Sequence, residues 1–516
     1  MSTHFTADMH DTVINQKSSR VSILGWVAMF GGIVALGLLI YNSLAHGGGH
    51  EAVEAHKHAP PLWGLGILPF VALLGCIAVL PLIPKTHHWW ESNLNRFGVS
   101  IGLAGLTLIY YFFAFDFNAN KIVTVLEHAI IAEYIPFIVL LFALYVISGG
   151  ICLKGDLAAH PLTNTSFLAI GAIIASFVGT TGASMLLIRP LLQTNSERKH
   201  VIHTVVFFIF LVSNVGGTLL PIGDPPLFLG YLKGVPFMWT MGLWAPWAVC
   251  CILLLIVYYV WDSIAYRKES AKDIALDETQ KQPLRLTGWF NILILGGIVL
   301  CVAVVDPNKT IPYTNFTPFP FMRELLMIGL VGISLMVTPK GIRAFNQFNY
   351  AAIIEVAALF IGIFITMQVA IEYLNAQGAS LGIDEPWKFF WATGGLSGVL
   401  DNAPTYVVFF ETAKVLPPGE SAQMLELGVN GINGAIRTSF LVAISLGAVF
   451  MGAMTYIGNG PNFMVKAIAE QTGLKMPSFF GYVFKYSVPV LLPIFVVIML
   501  LFLMPWSPLR SLIGGG

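Results

Sequence analysis

Apolar residues run along this chain in blocks of about 20, the length an α-helix needs to cross some 30 Å of hydrocarbon. The blocks predict spans at 21–43, 62–83, 97–115, 132–153, 203–232, 238–260, 288–305, 323–338, 350–374, 437–471 and 479–503. Two further apolar stretches, 165–193 and 387–416, each carry a polar tip midway, and their arms are too short to span singly. Such a segment goes in, turns and leaves on the same side, its bare backbone facing a protein-lined cavity rather than lipid. The expectation is an all-α polytopic membrane protein with about eleven transmembrane helices plus two re-entrant hairpins.

The polar interruptions come in matched pairs. The hairpin tips read Thr180-Thr181-Gly182-Ala183-Ser184 and Asp401-Asn402-Ala403-Pro404-Thr405, and each is followed by a helix break, Gly223-Asp224-Pro225-Pro226 and Gly458-Asn459-Gly460-Pro461. Thr180 aligns with Asp401, Ser184 with Thr405, Glu133 with Glu355 and Gly223 with Gly458, in one order. Because the first hairpin opens inward and the second outward, the halves are predicted to be inverted-topology repeats with broken helices at the midplane. The chain divides into an N-terminal tail, anchor helix and His-rich external loop (1–61), a first repeat (62–261), a cytoplasmic linker (262–287) and a second repeat (288–516).

Composition agrees with the pattern: 56% of the 516 residues are hydrophobic, 10% are charged, and the mean hydropathy is +0.77. Formal net charge is zero, so nothing suggests nucleic acid; the lipid bilayer is the surrounding partner. Lys and Arg favour one set of connections roughly two to one, which puts the N-terminus inside and the C-terminus outside. The run at 21–43 reads as a retained anchor rather than a secretory signal. The loop His46 to His58 could bind a transition metal through clustered His and Glu, but reads first as a solvated linker, and no metal site is expected. The cysteines, Cys76, Cys152, Cys250, Cys251 and Cys301, lie within or at the ends of apolar spans and read as small buried hydrophobes.

A Gly or Pro break frees backbone carbonyls and amides, and half-helix ends bring partial charges to the bilayer midplane. Thr180, Thr181, Ser184, Asn402 and Thr405 add hard oxygen donors suited to Na+ or to the hydrogen bonds of a carboxylate. A carboxylate at that depth costs roughly 2.5–3.5 kcal/mol on insertion scales, so Asp224 and Asp401 are candidate cation and proton ligands. Asp224 reads equally as a helix cap or an ion ligand; Asp401 reads as an ion ligand first. Arg189 is the other intramembrane charge, a partner for Asp224, Glu133 or another carboxylate, or a contact for an anion. Glu133 and Glu355 are candidate proton relays. Walker A, HExxH and CxxC motifs are absent, so the chain does not read as an enzyme, and no cofactor is expected beyond transported Na+ and H+.

Gly179 to Pro190 (GTTGASMLLIRP), Phe207 to Gly217 (FFIFLVSNVGG), Pro221 to Leu229 (PIGDPPLFL), Leu400 to Thr405 and Tyr456 to Asn462 resemble the bacterial sodium:proton antiporter / citrate transporter family of the ion transporter superfamily. That superfamily also holds D-type sodium/proton antiporters, arsenite permeases and divalent-anion symporters. The resemblance implies a scaffold with a moving transport domain, elevator-like alternating access, a homodimer, and a place in the bacterial cytoplasmic (inner) membrane. Through the motifs it adds Asn214, Asn459 and Asn462 to the ion- or substrate-binding set. Divalent-anion symporters carry Ser-Asn-Thr at both tips; the tips here depart from that, and a carboxylate at Asp401 would repel an anion and suit a cation. The expected function is Na+/H+ antiport with ion competition at intramembrane carboxylates, the alternative being cation-coupled transport of citrate or another small carboxylate.

Overall fold

The computed structural model describes residues 59–513, save 280, 308, 419–421, 429, 430 and 432. The anchor expected at 21–43 and the His-rich loop lie outside the described residues. The principal helices are α1 (Trp63–Val79), α2 (Asn93–Ala114), α3 (Ala119–Ser148), α4 (Pro161–Val178), α5 (Thr180–Thr194), α6 (Ile202–Leu211), α7 (Pro225–Leu232), α8 (Trp244–Tyr266) and α9 (Ala271–Thr279). They continue with α10 (Phe290–Val304), α11 (Met322–Val337), α12 (Ala351–Gln377), α13 (Pro386–Ser397), α14 (Asn402–Lys414), α15 (Thr438–Met451), α16 (Gly460–Gln471) and α17 (Phe479–Leu503). The chain is an all-α polytopic membrane protein.

Among the described residues seven helices are long and apolar enough to cross a bilayer individually. Ten of the eleven expected spans fall there, and the difference has two physical reasons. The spans expected at 203–232 and 437–471 are each broken in the middle, and α10 and α11 stop at 15 and 16 residues. One hairpin arm also departs from expectation. At 18 residues, about 27 Å of helix, α4 is long enough to cross alone, whereas α13 and α14 have the expected shortness.

The helices gather around two hydrophobic cores. The first is built from α4 to α6, α8 and α13 to α17, with Phe207, Phe208, Phe210, Phe389, Phe390 and Phe450 fully buried in it. The second is built from α1 to α3 and α10 to α12, around Phe137, Leu140, Ile298, Met327 and Phe364. Helix α7 and the start of α14 lie where the two meet: Phe228, Leu229, Ala403 and Val407 pack into the second core, while Leu227, Tyr406 and Phe410 pack into the first.

Two short antiparallel ribbons were not foreseen. Strand β1 (Cys152–Asp156) pairs with β2 (Gln282–Thr287), tying the linker to the end of α3, and β3 (Met424–Glu426) pairs with β4 (Ala435–Arg437). Cys152 is therefore a strand residue rather than part of a span; it is buried, and all five cysteines are unpaired. Near this ribbon Arg198 grips Asp262 at 2.6 Å, and His203 Nε2 lies 2.8 Å from the same carboxylate, fixing the start of α6 to the end of α8.

Candidate functional site

Both broken helices follow one design. In the first, α6 ends, a tight turn runs through Val215–Thr218, and Asp224 takes an extended backbone (φ −143°, ψ 141°) before Pro225 and Pro226 open α7. In the second, α15 gives way to a turn at Gly452–Met454, and Asn459 (φ −155°, ψ 140°) precedes Gly460 and Pro461 at the start of α16. In each break two glycines six residues apart pack backbone to backbone, Gly217 on Gly223 and Gly452 on Gly458; a β-carbon has no room at Gly217, Gly223 or Gly458 and would be crowded at Gly452. Asn214 and the prolines keep both stretches out of regular helix.

The hairpin tips meet the breaks. Gly179 (φ 80°) reverses the chain between α4 and α5 in a conformation that favours glycine, and the Thr180 N–H then donates to the carbonyl of Gly223 at 2.8 Å. Asp224 is buried at the centre of the arrangement. Its Oδ1 accepts from the Thr180 hydroxyl and from Asn459 Nδ2, both at 2.9 Å, and its Oδ2 accepts from Asn402 Nδ2 at 2.7 Å. Both hairpins and both breaks thus converge on one carboxylate.

An asparagine network extends the core. Asn214 Nδ2 donates to Asn462 Oδ1 at 2.7 Å and to the Ile209 carbonyl at 2.8 Å, and Asn462 Nδ2 donates to the freed carbonyls of Gly452 and Thr455, both at 2.9 Å. Asn459 Nδ2 also reaches the Ser213 carbonyl at 3.1 Å and Asn214 Oδ1 at 3.3 Å. Ser184 shares a 2.8 Å hydroxyl contact with Ser213. The serines at the ends of the first hairpin arms act alike, Ser176 donating to the Gly216 carbonyl at 2.5 Å and Ser397 to that of Ala448 at 2.7 Å. Asn402 stands apart: it is fully buried, yet its Oδ1 has no hydrogen-bond partner among the described residues.

The two intramembrane aspartates have different tasks. Asp401 caps α14, its Oδ1 accepting from the Ala403 N–H at 3.0 Å, and Thr405 donates to the Asp401 carbonyl at 3.0 Å. Asp224 occupies the N-cap position of α7 without capping it. A cap side chain accepts from the second or third helical N–H; Pro226 at the second position has none, so the carboxylate turns to the polar core instead. Thr181 is half-buried and is not among the donors to Asp224.

The remaining candidates lie elsewhere. Arg189 is nine residues beyond Thr180, about 13 Å along α5, and its Nη2 donates to Gln347 Oε1 at 3.4 Å beside Tyr145 and Cys152. No carboxylate lies within ion-pair distance of it among the described residues, so it does not pair with Asp224 or Glu133. Glu133 binds Lys233 Nζ at 2.8 Å, and Glu355 binds Arg96 at 2.7 Å. Lys233 also holds Glu411 at 2.9 Å, so a residue assigned from sequence to a connection is an ion-pair centre with only 11% of its side chain exposed. Its partners are 100 and 178 positions away, and nothing in the local pattern marks them.

Helices broken at matched points, hairpins meeting them, and a dry polar core within apolar walls define a secondary transporter fold. A family model described as "Putative citrate transport" matches residues 59–503, and the chain belongs to that family. Two curated relatives are each 24% identical over 343 residues, covering 64% of this chain and 74% of their own length: Uncharacterized transporter Rv2684 of Mycobacterium tuberculosis and Uncharacterized transporter Mb2703 of Mycobacterium bovis. The protein is a transporter of this family.

Proposed function

We propose that the protein is a Na+/H+ antiporter of the bacterial inner membrane, working by alternating access between inverted repeats, with Asp224 as the carboxylate for which cation and proton compete. One observation carries this reading. The polar core holds two carboxylates and a ring of amide and hydroxyl groups, and no basic side chain is among the described partners of Asp224 or Asp401. Such a core is electrostatically suited to a cation and hostile to an anion. The free Asn402 Oδ1, the Asp224 carboxylate and the carbonyls released by the breaks are hard oxygen donors of the kind Na+ takes. Half-helix ends aimed at the same point complete the arrangement. On this reading the N-terminus is cytoplasmic, the protein works as a homodimer, and no cofactor takes part.

A second reading, cation-coupled uptake of citrate or a related carboxylate, is favoured by the family description and by Arg189, a half-buried guanidinium without a carboxylate partner among the described residues. The two are separated by purified protein in liposomes carrying a pH gradient and an internal pH dye, with Na+, Li+, K+ and then citrate added in turn. Antiport gives dissipation by Na+ or Li+ alone, abolished in Asp224→Asn. Silence toward cations with accumulation of labelled citrate, lost in Arg189→Gln, would make the protein a carboxylate carrier and leave Asp224 to its coupling ion.

A further inference from the structure

Three buried charges stand where the two hydrophobic cores meet. Lys233 follows α7 at the seam: Tyr231 and Leu232 before it pack against the second core, while Val235 after it lies in the first and the Gly234 carbonyl accepts from the Gly428 N–H at 2.8 Å. Glu411 lies on α14 between Phe410 and Ala413, also in the first core. Glu133 lies on α3 in a π-helical turn, Glu127–Tyr134, between Ala129 and Phe137 of the second core. Lys233 Nζ lies 2.8 Å from Glu133 and 2.9 Å from Glu411, and side-chain exposures of 11%, 7% and 4% leave the group almost dry.

We infer that Glu133–Lys233 is a conformational latch that closes the second-hairpin end of the transport pathway and must part for that end to open. The inference rests on the alternating-access reading. Its physical basis is the distribution of partners. A buried charge stripped of its only counter-charge is prohibitively unstable, so a pair that opens in every cycle needs substitutes on both sides. Here they are present. When Glu133 releases Lys233, the lysine keeps Glu411, which travels with it in the first core, and Glu411 keeps Lys414 at 3.2 Å as well. Glu133 keeps the Gln368 amide of α12, whose Nε2 lies 3.4 Å from its Oε2, and, having no second counter-charge, takes up water as that end opens. Parting the pair thus leaves the lysine its counter-charge and exposes the glutamate only where the opening itself lets water in.

A neighbouring tie breaks along the same line. Tyr231 of α7 donates to the Val302 carbonyl of α10 at 2.7 Å and receives Arg323 of α11 at 3.4 Å. The opposite end is built differently. Glu355, Pro190 and Ile468 stand at the repeat positions of Glu133, Glu411 and Lys233, so no lysine can form a matching triad there. The latch therefore biases the protein toward the state in which the second-hairpin end is shut.

The test measures access and needs no knowledge of the cargo. Val408 on α14 packs against the second core. In full-length protein whose native cysteines are replaced, Val408→Cys reports separation at this seam through its rate of labelling by a membrane-impermeant maleimide. Adding Glu133→Gln, which preserves shape and the contact with Gln368, should speed labelling about tenfold by shifting a two-state population. Glu133→Asp, shorter by one methylene but still charged, should lie between and serves if the Gln variant fails to fold. Labelling within twofold of the parent in whichever variant folds would overturn the latch. A bis-maleimide bridge between Glu133→Cys and Lys233→Cys should arrest any Na+, Li+ or citrate flux the unbridged pair supports, and undiminished flux would also overturn it. If the parent protein moves none of these solutes, the functional reading fails while the labelling result still decides the latch.

Discussion

At the scale of single residues, the contrast between Asp224 and Asp401 comes from the two residues that follow each. Asp401 is followed by Asn402 and Ala403, whose N–H groups are available, and its side chain caps the helix. Asp224 is followed by Pro225 and Pro226, which have none to offer. Asparagine caps as well as aspartate, so Asp401→Asn should leave thermal stability within a few tenths of a kcal/mol, while Asp401→Ala should cost about 1 kcal/mol. Both comparisons are made by thermal unfolding in detergent, and a larger loss in Asp401→Asn would mean that its charge is needed. Away from the membrane spans, Asp156 of β1 is buried close to Glu197 and Asp277, and its carboxyl is pushed up to about 6, by burial first and by those two charges second. A carboxyl whose folded value is raised favours the fold while protonated, and the advantage disappears as pH climbs from its ordinary 3.8 through about 6. Asp156→Asn should therefore raise the unfolding midpoint at pH 7.5 and leave it unchanged near pH 3.5. An equal shift at both values would show that the gain comes from packing rather than charge.

At the scale of elements, the sequence pattern marks the breaks clearly because Gly, Pro and Asn at fixed separations have few other uses inside apolar helices. Tips, breaks and the six asparagine, serine and threonine candidates other than Thr181 and Thr405 are joined in one hydrogen-bonded core with Asp224 or its neighbours only in three dimensions, since Asn402 reaches Asp224 across 178 positions. The ribbon of β1 and β2, the Arg198–Asp262 pair and the burial of Lys233 were illegible for the same reason: each depends on partners tens to hundreds of residues away. Hydropathy likewise marks the apolar blocks but not which of them a single unbroken helix long enough to cross will fill. Close backbone packing is where an element-scale prediction is sharpest. A β-carbon on Gly458 would stand 2.6 Å from the Gly452 carbonyl oxygen and 2.8 Å from that of Ser397, both backbone atoms with little freedom to retreat. Gly458→Ala should lower stability by about 1–3 kcal/mol through overpacking and abolish flux by displacing Asn459 from Asp224. Normal flux in the Ala variant would mean that the break tolerates a wider spacing than its geometry implies.

At the scale of the whole molecule, polar groups are divided unequally between the two cores. The Asp224 network joins the first core's helices at their seam with the second, whereas the second carries ion pairs at the two ends of α12, Arg96–Glu355 near its start and Lys121–Glu372 near its end. Those glutamates are 17 residues apart, about 26 Å of helix, so the pairs grip α12 to α2 and α3 near opposite faces of the membrane. A body pinned at both faces is suited to be stationary, and one with its polar groups sealed inside is suited to move against it. On this reading Glu355 serves as a clamp, a role the ion pair supports and the pH profile of flux separates from proton relay, and Glu372 has the same task. The size of the effect follows from exposure: pairs in water are worth about 0–1 kcal/mol, and removing one partner of a fully buried pair costs about 3–5 kcal/mol. Glu372 and Lys121 are 10% and 17% exposed, so Glu372→Gln should destabilise by about 2 kcal/mol, between those limits. Glu355, at 40% exposure, should lose less on the same change. Measured by thermal unfolding alongside liposome flux, both variants should retain the parent's dependence on pH, because neither carboxylate lies in the Asp224 network proposed to carry the solute. A flux profile displaced along the pH axis in Glu355→Gln, with stability unchanged, would return that residue to the proton path.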